Sequence, residues 1–492
     1  MNSIYTNRSQ VVTQMLKEVE AKKILLVPLD FAKEKHVVRI CDATGDYLHK
    51  KSFDVTNNQA GLDYLCQRID SACGRKGIQK KHVLIATESP HSYCLHFMHE
   101  LQHKGYIVLR VNAAEAKKFR KNSIASSDTI DLDGIANAVL NRRARPLDEE
   151  QEIYSNLKRS SRYYKRYKKD FSRQKNRIGK LIDEVFPGFL NIRKSGIKPY
   201  SRFSIELMSK GCSIYKIRNM KQATLVAKMR KYHIHHPVQK AIKLQAHAAA
   251  SIAPSKLIVD SLSRSLEHAI QLYKALEAVC DSEWEQLAIS LVQTPYSSML
   301  SLPGVGVVRA TTCAAEFGHP DTWSSLNQMC SYAGIAPRTM QSGGPDKPAI
   351  VLGLSKKCNR RLKDALLQAA HQTALTPHTA GSLLPQLKEH KLMRHYKTVS
   401  ARNGKSGLST ARMIIRKMRG MVRGETIYLP AKELSVYELK IYVMSTFEKM
   451  HNNLKGIDLD SIKPENNCLT QMEVEWKHLI ESLEQKDSDI NL

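Results

Sequence analysis

Residues 23–111 alternate short apolar runs with helical repeats, and two of the apolar runs stop on an acid. KILLVPLD (23–30) and KHVLIATE (81–88) read as strands ending at Asp30 and Glu88, because short continuous apolar runs suit strands buried on both faces. HVVRICDA (36–43) is a second strand candidate followed by a Gly45-Asp46 turn, and 47–55 pairs as a third. NQAGLDYLCQRIDSAC (58–73) carries helical spacing at Leu62, Leu65, Ile69 and Cys73; 93–105 is helical and YIVLRV (106–111) is a strand. Hairpin strands, then helix, strand, helix and strand, predict an α/β layer structure on a mixed sheet.

The texture changes near 150. Tyr164, Tyr167, Phe171, Gln174, Ile178, Leu181 and Val185 fall at alternating three- and four-residue steps, a heptad seam with one polar position. Pro187-Gly188 ends that helix. A second helix over about 255–292 has its seam at Ile258, Leu262, Leu266, Ala269, Tyr273, Leu276 and Cys280, and the two pair either within a subunit or across a dimer. Between them, HIHHP (233–237) lacks an acidic or Cys companion, which argues against a metal site. LPGVGVVRATTCAAEFG (302–318) reads as a helix end, a Gly-rich hairpin and another helix, either a plain connection or a presentation of backbone N–H groups to phosphate.

The 492 residues are too many for one compact core and imply two to four domains. Lys plus Arg number 76 against 47 Asp plus Glu, a formal charge of +29, which calls for a polyanionic partner. The charge is clustered. Residues 158–180 hold eleven Lys or Arg against Asp170 alone, with tyrosines interleaved, so Lys165, Arg166, Lys168, Lys169 and Arg173 are candidate nucleic-acid contacts. Residues 388–423 hold eleven more against Glu389, with Arg416, Lys417 and Arg419 as candidates. No apolar run approaches the ~18 residues that span a bilayer, and the first thirty residues lack the order of a signal peptide. Ten scattered cysteines with no CxxC read as reduced, mostly buried thiols. Membrane and secreted readings are excluded, and the expected compartment is the cytoplasm, with nucleoid association when DNA is bound.

Four acids suit a nuclease of the RNase H type. Asp30 and Glu88 end strands, while Asp128 and Asp131 in SSDTIDLDGIANAVL are three apart on one helix face. Phosphoryl transfer with paired Mg2+ ions needs clustered carboxylates, because hard cations take oxygen ligands. Asp133 is a competing acid, but its position turns it round the helix. Ser342, in GIAPRTMQSGGPDK, has the look of a turn serine, yet SKKCNRRLK (355–363) follows, where Lys356, Lys357, Arg360 and Arg361 can hold a phosphate.

These residues resemble the DEDD insertion-sequence transposases related to the Piv site-specific DNA invertases. The first block runs from about 24 to 190: LDFAKEKHVV with Gly45, then Phe53, Gly61-Leu62, Glu88, Tyr93, DTIDLDGIA and KNRIGKLIDEVFP. The second runs from about 298 to 375, through SMLSLPGVGVVRA, SYAGIAPRTMQSGG and SKKCNRRLKDALLQAA. The resemblance implies a RuvC-like domain whose metal-binding acids are Asp30, Glu88, Asp128 and Asp131, with Mg2+ as cofactor. Ser342 would be the nucleophile that forms a phosphoserine link to DNA. It further implies DNA partners (element junction and target), a bridge RNA whose loops choose both, and a tetramer joining the acids of one subunit to the serine of another.

The implied layout is an N-terminal extension (1–22), a RuvC-like α/β domain (23–150), a helical coiled-coil region with an insertion (151–292), a mostly helical transposase domain (293–425) and a C-terminal extension (426–492). The chain departs from the family at Pro90-His91, where Thr-Gly is usual, at Ser126, where a Lys is common, and at Cys358, which replaces a Gly. Two rivals stay open: a resolvase-like hydrolytic nuclease using the acids alone, and a non-catalytic nucleic-acid-binding protein derived from a transposase.

Overall fold

The computed structural model describes residues 10–48, 51–88, 94–120, 127–147, 152–340, 350–429 and 433–490. The chain divides into two units, Met1–Glu149 and Glu150–Leu492.

The first unit is built on a mixed sheet of seven strands: β1 (Leu25–Asp30), β2 (Lys35–Val38), β3 (Cys41–Asp42), β4 (Phe53–Thr56), β5 (Val83–Glu88), β6 (Ile107–Val111) and β7 (Ala144–Pro146). Their order is β4-β2-β1-β5-β6-β7, with β3 also paired to β1. β1, β5 and β6 run parallel, and β2 and β7 are antiparallel to their neighbours. The run at 36–43 is broken into β2 and β3 around Arg39-Ile40, and β7 is a three-residue strand that no apolar pattern announces. Five helices complete the unit: α1 (Gln10–Glu18), α2 (Gln59–Lys76), α3 (Leu95–His103), α4 (Ala113–Lys118) and α5 (Asp128–Leu140).

Side chains alternate across a strand, so β1 feeds two cores. Leu25, Val27 and Leu29 pack with Leu62, Leu65 and Ile69 of α2 and Met98 and Leu101 of α3. Leu26 joins Leu84, Ala86 and Leu109 against Ile135 and Val139 of α5. Val12 and Met15 of α1 are buried in this second core, so the segment read as an N-terminal extension is part of the layer. Parity then dictates direction. Asp30 follows Leu26 and Glu88 follows Leu84 and Ala86, so both acids emerge on the α5 face.

The second unit is helical apart from one ribbon. Its helices are α6 (Glu152–Val185), α7 (Ile192–Ser195), α8 (Arg202–Ser209), α9 (Ile214–Asn219), α10 (Gln222–Lys231), α11 (Pro237–Ala250), α12 (Lys256–Val292), α13 (Val307–Phe317) and α14 (Leu326–Tyr332). They continue as α15 (Arg360–Leu375), α16 (Lys391–Ala401), α17 (Ser406–Arg423), α18 (Val436–Asn453) and α19 (Cys468–Ile490). The ribbon is β8 (Pro337–Met340) paired antiparallel with β9 (Ile350–Leu354).

The two long helices pair within the chain. Tyr273 of α12 meets Phe171 of α6 with ring centroids 4.7 Å apart, and Gln174 Nε2 donates to the Ala269 carbonyl at 2.7 Å. This settles the polar seam position: Gln174 is buried because its amide caps a carbonyl of the facing helix. The expected α12 seam fails at its first residue. Ile258 is 53% exposed and Val259 is the inward residue there. No helix among the described residues is long and apolar enough to cross a membrane. All ten cysteines are free, and six are buried.

Candidate active site

β1 and β5 are in register with Leu29 opposite Thr87, which sets Asp30 and Glu88 side by side at the C-terminal ends of adjacent parallel strands. Adjacent strands lie roughly 4.8 Å apart, so two carboxylates are forced together by the ladder itself. Across from them stands the first turn of α5. Ser127 caps it, accepting from the Ile130 N–H at 3.4 Å, and this starts the helix so that Asp128 and Asp131 share a face.

The crowding shows in the acids' proton affinity. Burial pushes the Asp30 carboxyl up, and the charges of Asp131 and Asp128 push it further, with Arg120 opposing. Glu88 is also raised, by burial first; Arg120 pulls against it while Asp30 and Asp131 add to it. Asp30 thus feels the charges of Asp128 and Asp131, and Glu88 those of Asp30 and Asp131, so the four acids lie within electrostatic reach of one another.

Arg120 is the cation at its centre, and the sequence does not reveal it. Its Nη2 lies 2.9 Å from Asp131 Oδ1 and 3.9 Å from Glu88 Oε1. The contacts are charge contacts without hydrogen-bond alignment: among the described residues, the buried Glu88 Oε1 and Asp131 Oδ1 have no hydrogen-bond donor. Gly134 admits the arginine. A Cβ there would stand 2.6 Å from the Ala116 carbonyl oxygen and 2.9 Å from Arg120 Cγ, so only glycine lets this segment lie against α5.

Among the described residues no three His, Cys, Asp or Glu side chains stand close enough to grip one ion as they are placed. The donors nonetheless fit a hard divalent cation in kind. They are all carboxylate oxygens, they repel one another, and two buried oxygens have no hydrogen-bond donor. Asp133 behaves differently. Its Oδ1 accepts from Arg39 Nη1 at 3.1 Å and from the Tyr47 hydroxyl, and Arg39 in turn lies over the Tyr47 ring. It is a structural acid turned away from the four.

In the second unit Ser342 lies outside the described residues, as do Pro90, His91 and Ser126. The basic motif after it is well placed. Lys356, Lys357, Arg360 and Arg361 are all exposed around the start of α15, where Asn359 Oδ1 accepts from the Leu362 N–H at 3.1 Å. Ser355, Lys356, Arg360 and Lys363 line an open hollow of about 380 Å³ there, with the positive end of α15 at its wall.

The other candidate cations separate into outward and inward sets. Arg166, Lys169 and Arg173 are exposed, whereas Lys168 lies over the rings of Tyr164 and Phe171. Lys165 points inward: burial lowers its pKa, opposed by Asp364 and Glu316. Arg416 is exposed, but Lys417 sits over the Tyr428 ring and Arg419 donates to the Ser324 carbonyl. A buried acid organises the inward set. Glu316 of α13 accepts from Arg162 at 3.3 Å and from Asn359 Nδ2 at 2.7 Å, tying α6 to the cap of α15.

A family model described as a DEDD-type IS110 transposase matches residues 27–187, and a second, described as the IS116/IS110/IS902 transposase family, matches residues 296–382. The first match contains all four acids; the second contains Ser342 and the basic motif. Among curated relatives, the transposase for insertion sequence element IS1111A of Coxiella burnetii is 30% identical over 19% of this chain and 25% of its own length. The transposase for IS1328 of Yersinia enterocolitica is 25% identical over 21% of this chain and 30% of its own. An uncharacterized 43.6 kDa protein of insertion element IS110 from Streptomyces coelicolor is 32% identical over 23% of this chain and 26% of its own. Each alignment thus spans less than a third of the relative. The two family models, by contrast, together span about half of this chain, in order, and it belongs to the IS110 family of transposases.

Proposed function

We propose that this chain is an RNA-guided DNA transposase that cleaves, exchanges and rejoins the strands of an insertion sequence and its target. One observation carries the reading: Asp30 and Glu88 are driven together at adjacent strand ends near Asp131, with Arg120 as their cation and, among the described residues, no hydrogen-bond donor on the buried Glu88 Oε1 and Asp131 Oδ1. A fold spends stability on such a cluster where charge is to be bound. In this reading Asp30, Glu88, Asp128 and Asp131 hold Mg2+, which supplies Lewis-acid stabilisation of the phosphoryl oxygens when bound.

Ser342 is the proposed nucleophile. Its Oγ–P bond forms as the P–O bond to the departing strand breaks, and the departing oxygen takes up the proton that the serine loses. The phosphoserine diester keeps the energy of the broken linkage, so a strand can be resealed without ATP. Lys356, Lys357, Arg360 and Arg361 supply the positive field for the phosphate at the start of α15. The exposed cations of α6 and Arg416 hold polynucleotide backbone, a bridge RNA supplies sequence choice, and a tetramer in the bacterial cytoplasm joins the acids of one subunit to the serine of another.

The test is a search for protein covalently attached to a cleaved DNA end, with element DNA, target DNA and the guide RNA encoded beside the gene. The expected result is an adduct that wild-type protein forms and Ser342→Ala does not. Cleavage without an adduct would instead establish the hydrolytic reading.

A further inference from the structure

Residues 188–255, from Gly188 through Ser255, fall between the two family matches and form a module of short helices packed onto α6 and α12. Phe203, Ile205, Leu207 and Met208 of α8, Ile217 of α9 and Met229 of α10 share one buried core with Ile182 of α6 and Leu266 of α12. The module's surface is one-signed: thirteen Lys or Arg occur against a single acid, Glu206. That acid is engaged, with its Oε1 2.5 Å from Lys210 Nζ. Arg218 is engaged too, capping the end of α11 through the Ala248 and Ala249 carbonyls.

A hollow of about 150 Å³ opens into this module. Its floor is apolar, made by Phe203, Leu207, Ile217 and Met220, and Tyr232 forms a wall 6.1 Å from the Phe203 ring. Its rim is cationic. Lys210 is held by Glu206, and Lys216 reaches the Lys210 carbonyl. Lys228 and Lys231 have no carboxylate within ion-pair distance among the described residues. Aromatic and aliphatic walls call for a flat apolar face; lysines around them call for an anion attached to it. Space of roughly this size accepts a benzene-sized ring, which suits one monocyclic base. The module's charge extends far beyond the four rim lysines, so the ligand it fits is a polymer and not a free nucleotide.

We propose that this hollow seats one unpaired pyrimidine of a single-stranded polynucleotide, its ring against Tyr232 and the apolar floor and its flanking phosphates on Lys228 and Lys231. The proposal rests on the reading that the partner is a nucleic acid, but not on the acid cluster or on Ser342. Unstacked bases are the usual handle by which proteins grip single strands, and the stacking is largely lost when the aromatic is removed.

The test uses the full chain with single-stranded RNA and DNA oligonucleotides carrying one central 4-thiopyrimidine. Photocrosslinking followed by peptide mass spectrometry should place the adduct on the segment 203–232. Replacing the central base with an abasic residue should weaken binding by about tenfold in wild type, and Tyr232→Leu should remove most of that difference. Lys228→Glu, a rim change that leaves the core intact, should weaken binding of either oligonucleotide. RNA bound more tightly than DNA would assign the site to the guide, and the reverse would assign it to a displaced DNA strand. Oligonucleotide binding with adducts only elsewhere, or with no penalty for the abasic residue, would overturn the pocket and leave the nucleic-acid reading standing. Failure to bind any oligonucleotide would overturn both.

Discussion

Each unit buries carboxylates beside an arginine, and the two arrangements have opposite electrostatic character. In the first, Asp30 and Glu88 sit with Asp131 around Arg120, and both have raised proton affinity. In the second, burial also pushes Glu316 up, but the Asn359 amide and Arg162 outweigh it and hold the carboxyl below its ordinary range. One cluster has more negative charge than its partners neutralise; the other is balanced. A buried acid met by partners has its desolvation offset and is costly only when a partner is removed, whereas an unmatched one destabilises the fold until a cation arrives. The contrast separates a site that binds something from one that holds helices together.

The largest expected effect falls on the unbalanced cluster. Asp30→Asn or Asp131→Asn should lower strand cleavage by about 1,000-fold, the scale of several kcal/mol of lost Lewis-acid stabilisation. Asp30→Asn also removes like-charge repulsion, so with that substitution the first unit should melt no lower than in wild type when Mg2+ is absent. Added Mg2+ should raise the melting temperature of wild type and not of Asp30→Asn. Cleavage and melting temperature falling together would make these acids structural and erase the contrast.

Asp133 sharpens the comparison from two residues away. Asp133→Asn takes the charge from Arg39 Nη1 at 3.1 Å, with both side chains 11% exposed. It should cost about 1–3 kcal/mol of stability and leave the residual cleavage rate within a fewfold of wild type. Glu316→Gln should cost a similar ~1–3 kcal/mol, measured as a lower denaturation midpoint of the second unit. The sign with pH follows from its depressed pKa. The Glu316 contribution is complete above the carboxyl's unfolded pKa and is lost as pH falls through its lower folded value. The gap between wild type and Glu316→Gln should therefore close in acid. A gap that is constant down to acid pH would mean that Glu316 is not held ionised by Arg162 and Asn359.

What the sequence discloses follows the same division. Asp30 and Glu88 are legible because each closes a continuous apolar run, and such a run fixes both the strand and the face its last residue takes. Asp128 and Asp131 are legible from their three-residue spacing behind a serine cap. Arg120 is not, since KKFRK (117–121) has no period that singles out one cation, and what brings Arg120 to the acids is the missing side chain of Gly134 on another helix. Strand β7 is too short for a pattern. The in-chain pairing of α6 and α12 is half legible: the seam residues give the contact but not whether the partner is the same chain. Glu316 is hidden because its partners lie 154 and 43 residues away.

The smallest expected effect concerns the cations of α6, where a single helix holds both kinds of environment. Arg159, Arg166, Arg173 and Lys180 are exposed and recur every seven residues, roughly 10 Å apart along the helix. Arg162 and Lys165 face the other way, toward Glu316. A cation on a phosphate releases condensed counterion, so each lost contact reduces the salt slope of binding by about 0.7–0.9. Arg166→Gln with Lys180→Gln should flatten that slope by about 1.4–1.8 in total and weaken binding across sequences, with little change in melting. Lys165→Met should do the reverse, leaving the slope unchanged while altering stability, because its charge is already committed inside the unit. Arg173 is the intermediate case: its Nη1 lies 3.0 Å from Asp170 in an exposed pair, which is worth little and is given up readily to a phosphate. Arg173→Gln should therefore flatten the slope less than Arg166→Gln does. Equal slopes for the outward and inward substitutions would mean that the helix carries general charge and presents no defined face to a nucleic acid.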